Sequence, residues 1–216
     1  MRTALFDLDG TLADTSADLI AAANACFSRP MLDPVADMAT AFKGGRAMLR
    51  VGLERFDADW NEADVDRLYP YLLEFYGENI HRETRLYEGV EAALDQLAGN
   101  WAMAVCTNKP EALAEKLLRS LGIRDRFAAM IGADTLETRK PDAAPVLECI
   151  KRSKGDISRA VLIGDTVTDR EASRAAGIKS MLVTFGPEGE DVRALEPDAL
   201  LASYADLPRA LEALDL

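Results

Sequence analysis

Apolar positions along this chain fall into two alternating patterns. Short, unbroken apolar or β-branched runs appear at Thr3–Leu8, Ala102–Thr107, Ala128–Gly132, Ala160–Gly164 and Ser180–Phe185. Runs of that length bounded by polar or glycine residues predict strands. Between them the spacing lengthens to that of a helix face. Val90, Ala93, Leu94 and Leu97 form one stripe before Gly99. Leu113, Leu117, Leu118 and Leu121 form another, stopped by Gly122, and Val146, Leu147 and Ile150 form a third, ending towards Gly155. Strands alternating with helices of this size predict an α/β, Rossmann-like core with a parallel sheet and crossover helices.

One stretch breaks the alternation. From Asp14 to Arg85 no segment reads as a strand. Thr15-x-x-Asp18 has the spacing of a capping box, and Leu19, Ile20, Ala23, Cys26 and Phe27 follow on one helical face. Val65, Leu68, Tyr69, Leu72, Leu73, Tyr76 and Ile80 form a later stripe that Pro70 interrupts, which predicts a kinked helix or two helices. Residues 14–85 are therefore expected to be an all-helical insertion, with 1–13 and 86–216 forming the core. The insertion leaves the first strand beside a pair of aspartates. A lid over reactive chemistry, excluding water and choosing substrates, is the expected role.

Composition narrows the possibilities. The 216 residues are 49% hydrophobic and 29% charged, as in an ordinary globular protein. Acidic residues outnumber basic ones by 37 to 25, and the net charge is −12, which argues against a nucleic-acid-binding face. No apolar stretch reaches membrane-spanning length and no secretory signal is visible. Cys26, Cys106 and Cys149 are odd in number, widely spaced and in apolar settings, as expected of reduced thiols in a cytoplasmic protein. The lone His81 reads as a surface residue. So acidic a chain repels anions at long range, so any phosphate site must be made locally positive by a metal, a lysine or backbone amides.

The candidate chemistry gathers where predicted strands end. Asp7 and Asp9 stand two apart after the first strand, and residues two apart in a strand face one side. Two like charges that close call for a cation or a shared proton. A divalent metal with an aspartate nucleophile is the first hypothesis. Thr107 and Asn108 end the second strand, where a hydroxyl can donate to a phosphoryl oxygen or cap the next helix. Lys140, in a loop before the third stripe, can neutralise a phosphoryl group and a carboxylate together. Gly164-Asp165 ends the fourth strand, and Asp169 follows one helical turn later. Asp165 can ligate a metal, with Asp169 behind it. Nucleophile, acid/base, metal and oxyanion donors are the needs of phosphoryl transfer.

In Asp7-Leu8-Asp9-Gly10-Thr11, Thr107-Asn108-Lys109, Lys140-Pro141 and Gly164-Asp165-Thr166-x-x-Asp169, the chain resembles haloacid-dehalogenase-superfamily phosphatases with a helical cap, closest to the phosphoglycolate phosphatase-like group. Leu121-Gly122-Ile123, Ala175-Ala176-Gly177 and Pro197-Asp198-Ala199 also fit. The resemblance implies a Mg²⁺-dependent phosphomonoester hydrolase acting on a small phosphorylated metabolite, as a monomer or homodimer. It implies that Asp7 attacks phosphorus, and that Asp9 protonates the leaving oxygen and then activates water. Thr107, Asn108 and Lys140 would hold the phosphoryl oxygens. Asp7, the Asp9 carbonyl and Asp165 would hold the metal, with Asp169 behind.

Two positions depart from the pattern. Relatives usually carry proline three residues after the motif lysine, where this chain has Ala143. In the insertion, Lys43-Gly44-Gly45-Arg46-Ala47 has Arg46 where the phosphoglycolate-type segment has its second glycine. Relatives acting on sugar phosphates often have basic residues there, so Lys43 and Arg46 are candidate specificity residues. A sugar-phosphate phosphatase or a phosphomutase would share all the motifs. Dehalogenases of this fold lack the second aspartate, which is present here as Asp9. A receiver-like signalling domain would be shorter and would lack the helical insertion.

Overall fold

The computed structural model describes residues 1–56 and 59–216. Its strands are β1 (Arg2–Phe6), β2 (Ala13–Asp14), β3 (Arg85–Leu86), β4 (Trp101–Cys106), β5 (Ala129–Ile131), β6 (Ala160–Gly164), β7 (Lys179–Val183) and β8 (Ala199–Leu201). Six of these form one parallel sheet in the order β5-β4-β1-β6-β7-β8, while β2 and β3 pair separately. The chain divides into two compact units, Met1–Ala13 with Leu86–Leu216, and Asp14–Arg85.

The second unit is built from α1 (Ser16–Asn24), α2 (Met38–Ala41), α3 (Gly45–Phe56) and α4 (Glu62–Glu78). In the sheet unit, α5 (Val90–Leu97) precedes β4, α6 (Glu111–Ser120) precedes β5, and α7 (Ala143–Arg152) precedes β6. Next, α8 (Val167–Ala176) joins β6 to β7, and α9 (Leu207–Ala213) follows β8. The central strands are buried along their length, as a parallel sheet covered on both faces requires. Leu5, Ala104, Ile131 and Leu162 of the sheet pack with Val146, Cys149 and Ile150 of α7 and Ala172 of α8 in one continuous core.

The expected α/β class and parallel sheet are present. A sixth strand, β8, follows Pro197-Asp198. Its three residues are too few, and too partly exposed at the sheet edge, to make a run that the apolar pattern reveals. The first strand ends at Phe6 rather than Leu8. Beyond Asp7 the backbone bends into a tight turn, with Leu12 N–H donating to Leu8 O and Gly10 N–H to Ala13 O.

The helical unit corrects one expectation and decides between the alternatives of another. Thr15 precedes α1 without making a side-chain cap. The Asp18 carboxylate instead accepts the N–H groups of Arg82, Glu83 and Thr84 and the Thr84 hydroxyl, at 2.8–3.1 Å. Four donors converging on one buried carboxylate outcompete a local cap. Pro70 lies within one continuous helix, α4, rather than dividing it. Burial of Val65, Leu72 and Tyr76 on both sides of the proline holds the two halves to one face.

Candidate active site

The site begins with strand register. Phe6 of β1 pairs with Val105 of β4 and with Ile163 of β6. Asp7 therefore leaves the sheet between Thr107, two residues past Val105, and Asp165, two past Ile163. All three reach the C-terminal edge of the sheet, where open α/β folds bind ligands. The chain connections also reverse there: β4 and β5 lie to one side of β1, and β6, β7 and β8 to the other.

Two glycines let the carboxylates approach. Gly10 has φ of +81°, and a Cβ on it would stand 2.4 Å from Asp165 Oδ2. At Gly164, a Cβ would stand 2.3 Å from Asp169 Cγ. Each is replaceable only by moving a carboxylate.

Lys140 is the electrostatic centre. Its Nζ lies 3.1 Å from Asp7 Oδ1 and donates to Asp169 Oδ1 at 2.6 Å. Burial opposes its charge, but Asp169 and Asp7 outweigh that penalty and hold its pKa above the usual lysine range. The Asn108 side-chain amide donates to the Lys140 carbonyl at 2.9 Å, tying this loop to the tip of β4. Asn108, expected at the phosphate, is exposed beside this loop. Thr107 is buried and its Oγ1 accepts the N–H of Lys109 at 3.2 Å, while α6 begins after Pro110 with no side-chain cap.

The acidic residues divide by their partners. Asp169 accepts Lys140 on Oδ1, and on Oδ2 the Thr166 hydroxyl at 2.9 Å and the N–H groups of Thr166 and Asp165 at 3.2 and 3.3 Å. Its oxygens are occupied by these donors. Asp165 accepts the Thr11 hydroxyl on Oδ1 at 2.7 Å, while its buried Oδ2 has no hydrogen-bond partner among the described residues. Burial, followed by the charges of Asp169 and Asp7, pushes Asp165 well above the ordinary carboxylate range. Burial also raises Asp7 to about 6, with Lys140 pulling the other way and Asp169 and Asp9 adding to the rise.

Oxygens of Asp7, Asp165 and Asp169 lie within 4.8 Å of one another. An orphaned buried carboxylate oxygen beside a second carboxylate suits a small, hard divalent cation such as Mg²⁺. Because Asp169 is already engaged, Asp7 and Asp165 are the side chains fitted to hold it, and Asp169 orients Lys140. Tyr204 braces the same loop, its buried hydroxyl donating to the Thr11 carbonyl at 2.8 Å.

Lys109 has no role that its place in the sequence reveals. In the structure this buried lysine has its Nζ 2.9 Å from Asp9 Oδ2. Membership of the Thr107-Asn108-Lys109 segment is the only local sign. Lys43 and Arg46 belong to the helical unit. Lys43 is exposed. Arg46 pairs with Asp66 at 2.6 Å, with its guanidinium carbon 4.7 Å from the centre of the Tyr69 ring.

Comparison with known proteins gives consistent results. Residues 4–183 match the family model for haloacid dehalogenase-like hydrolases. A phosphoglycolate phosphatase of Agrobacterium fabrum is 39% identical over 96% of this chain and 91% of its own. One from Mesorhizobium japonicum is 36% identical over 93% and 90%. The crystal structure of a predicted phosphoglycolate phosphatase from Haemophilus somnus superposes with a TM-score of 0.85 at 25% identity, covering 97% of each chain.

Proposed function

The chain belongs to the haloacid dehalogenase-like hydrolase family and is a phosphatase, and we propose that it hydrolyses a small phosphomonoester through a phosphoaspartate on Asp7, with Mg²⁺ bound and 2-phosphoglycolate as substrate. The observation that carries this reading is the meeting of Asp7 with Lys140 on one side and the orphaned Asp165 Oδ2 on the other. The substrate follows from the activity for which the two bacterial relatives are named.

In the first half-reaction an Asp7 oxygen attacks phosphorus. The bond from phosphorus to the substrate oxygen breaks, and Asp9 gives that oxygen its proton. Lys140 and the Thr107 hydroxyl hold the phosphoryl oxygens as charge builds on them. In the second half-reaction Asp9 takes a proton from water, and the water oxygen attacks phosphorus. The bond to Asp7 breaks, releasing inorganic phosphate and restoring the Asp7 carboxylate. Asp7, the Asp9 carbonyl and Asp165 would hold the metal, which when bound supplies charge neutralisation for the phosphoryl group. Asp169 keeps Lys140 charged and in place.

Residues 14–85 act in this proposal as the cap, with Lys43 and Arg46 biasing the choice of substrate. Supporting the latter are the two cations flanking a pair of glycines where α3 begins. Arg46→Ala would then lower kcat/KM for 2-phosphoglycolate more than for an aryl phosphate.

The test is stoichiometric release of inorganic phosphate and glycolate from 2-phosphoglycolate, together with Asp7→Asn. An amide cannot attack phosphorus, so turnover in the folded variant should fall to background. Near-normal turnover by Asp7→Asn, purified free of wild type, would refute the phosphoaspartate.

A further inference from the structure

The proposed chemistry uses one buried lysine, Lys140, and leaves another, Lys109, without a task. A buried ammonium is costly unless a carboxylate compensates it. The Lys109 side chain is 4% exposed, and its Nζ stands 2.9 Å from Asp9 Oδ2. Its backbone is fixed on both sides: the N–H donates to Thr107 Oγ1 at 3.2 Å, and the carbonyl accepts the N–H of Ala133 at 2.9 Å. The long side chain therefore starts from a rigid anchor at the tip of β4. The two lysines serve the two aspartates in parallel. Lys140 meets Oδ1 of Asp7, and Lys109 meets Oδ2 of Asp9.

We propose that Lys109 is a positioning residue for Asp9: it holds Oδ2 so that the carboxylate cannot turn, and Oδ1 carries the proton in both half-reactions. This inference rests on the role given to Asp9 above. Asp9 sits past the end of β1, bridged to Ala13 and next to Gly10, whose φ is +81°. A carboxylate free to rotate would spend part of its time facing away from the leaving oxygen. An ion pair from the neighbouring strand tip removes that freedom before substrate arrives.

The experiment compares Lys109→Met, Lys109→Arg and Asp9→Asn with wild type on two probes. The leaving alkoxide of 2-phosphoglycolate needs a proton, whereas p-nitrophenolate does not. With Lys109→Met, kcat on 2-phosphoglycolate should fall about 10²-fold, the scale of misaligned general acid–base catalysis. KM should stay within about threefold, and Lys109→Arg should recover part of the loss. With enzyme in excess, single-turnover release of p-nitrophenolate should stay within a few-fold of wild type, because it reports only the bond cleavage that needs no proton. Asp9→Asn should lose steady-state turnover on both probes, because dephosphorylation also needs its proton transfer.

A raised KM with unchanged kcat would overturn the proposal and make Lys109 a substrate ligand. Equal losses on both probes would overturn it in favour of general damage to the site. Wild-type behaviour of Lys109→Met would remove this inference alone, whereas a wild-type enzyme releasing phosphate from neither probe would remove the phosphatase mechanism with it. Should Lys109→Met fail to fold, Lys109→Gln, which is closer in polarity, carries the same comparison.

Discussion

At the scale of single residues, the site is a set of charges that depend on one another. Lys140 and Asp169 are each 1% exposed at the side chain, and Lys140 also faces Asp7. Attraction within such a group is offset by the cost of removing its members from water, so the set is stable only when complete. Lys140→Met would leave two carboxylates without their cation. The expected loss of folding stability is about 3–5 kcal/mol, read from urea unfolding. Adding Asp169→Asn to Lys140→Met should cost less than the sum of the single changes, because the second removes a charge the first left uncompensated. Strict additivity would mean that the two side chains do not act as a unit.

At the scale of elements, the same economy closes the helical unit. Near the N-terminal end of α1, Asp18 accepts the backbone of Arg82, Glu83 and Thr84, joining the first helix to residues more than sixty positions on. A carboxylate receiving several backbone donors satisfies a bend that has no ladder of its own. Asp18→Ala should destabilise the protein by about 2–3 kcal/mol, the scale of a lost charged acceptor whose donors stay behind. Hydrogen exchange should locate the change. Protection of the amides of Arg82, Glu83 and Thr84 is expected to fall, while that of the β1 and β6 amides stays near wild type. Unchanged exchange at residues 82–84 would show that Asp18 is not what holds this segment.

For the molecule as a whole, the raised pKa of Asp7 links stability, pH and metal. Its ordinary value is 3.8 and burial lifts it to about 6, so the ionised form costs folding free energy. Stability should therefore be greatest with Asp7 protonated. In metal-free protein this contribution is lost as pH rises from 3.8 through about 6. At the proposed metal site Mg²⁺ would bind the ionised form and compete with that proton. The rise in Tm on adding Mg²⁺ should accordingly be larger at about pH 7.5 than at about pH 5. Asp165→Asn should remove most of that rise, since it takes away the orphaned oxygen beside Asp7. An equal shift at both pH values would place the metal away from Asp7.

Local information in the chain determined the element types and which residues stand at strand ends. Short apolar runs ending in Asp7, Thr107 and Asp165, separated by stripes at helical spacing, are enough to indicate a parallel α/β sheet, because periodicity acts over a few residues. Strand order is a different matter. That β4 and β6 both flank β1, more than ninety residues away in sequence, comes from burial and register across the whole sheet. The pattern of any one strand does not contain that information. The edge strand β8 is illegible for the related reason that three residues, two of them half-buried, have too little pattern to read. Ion-pair assignment likewise needed three dimensions. Nothing in the spacing of Lys109, Lys140 and Asp169 says that the first meets Asp9 while the second bridges Asp7 and Asp169. Those pairings depend on where a rigid strand tip aims a side chain of several ångströms, and on which carboxylate it desolvates, and only the folded sheet decides both.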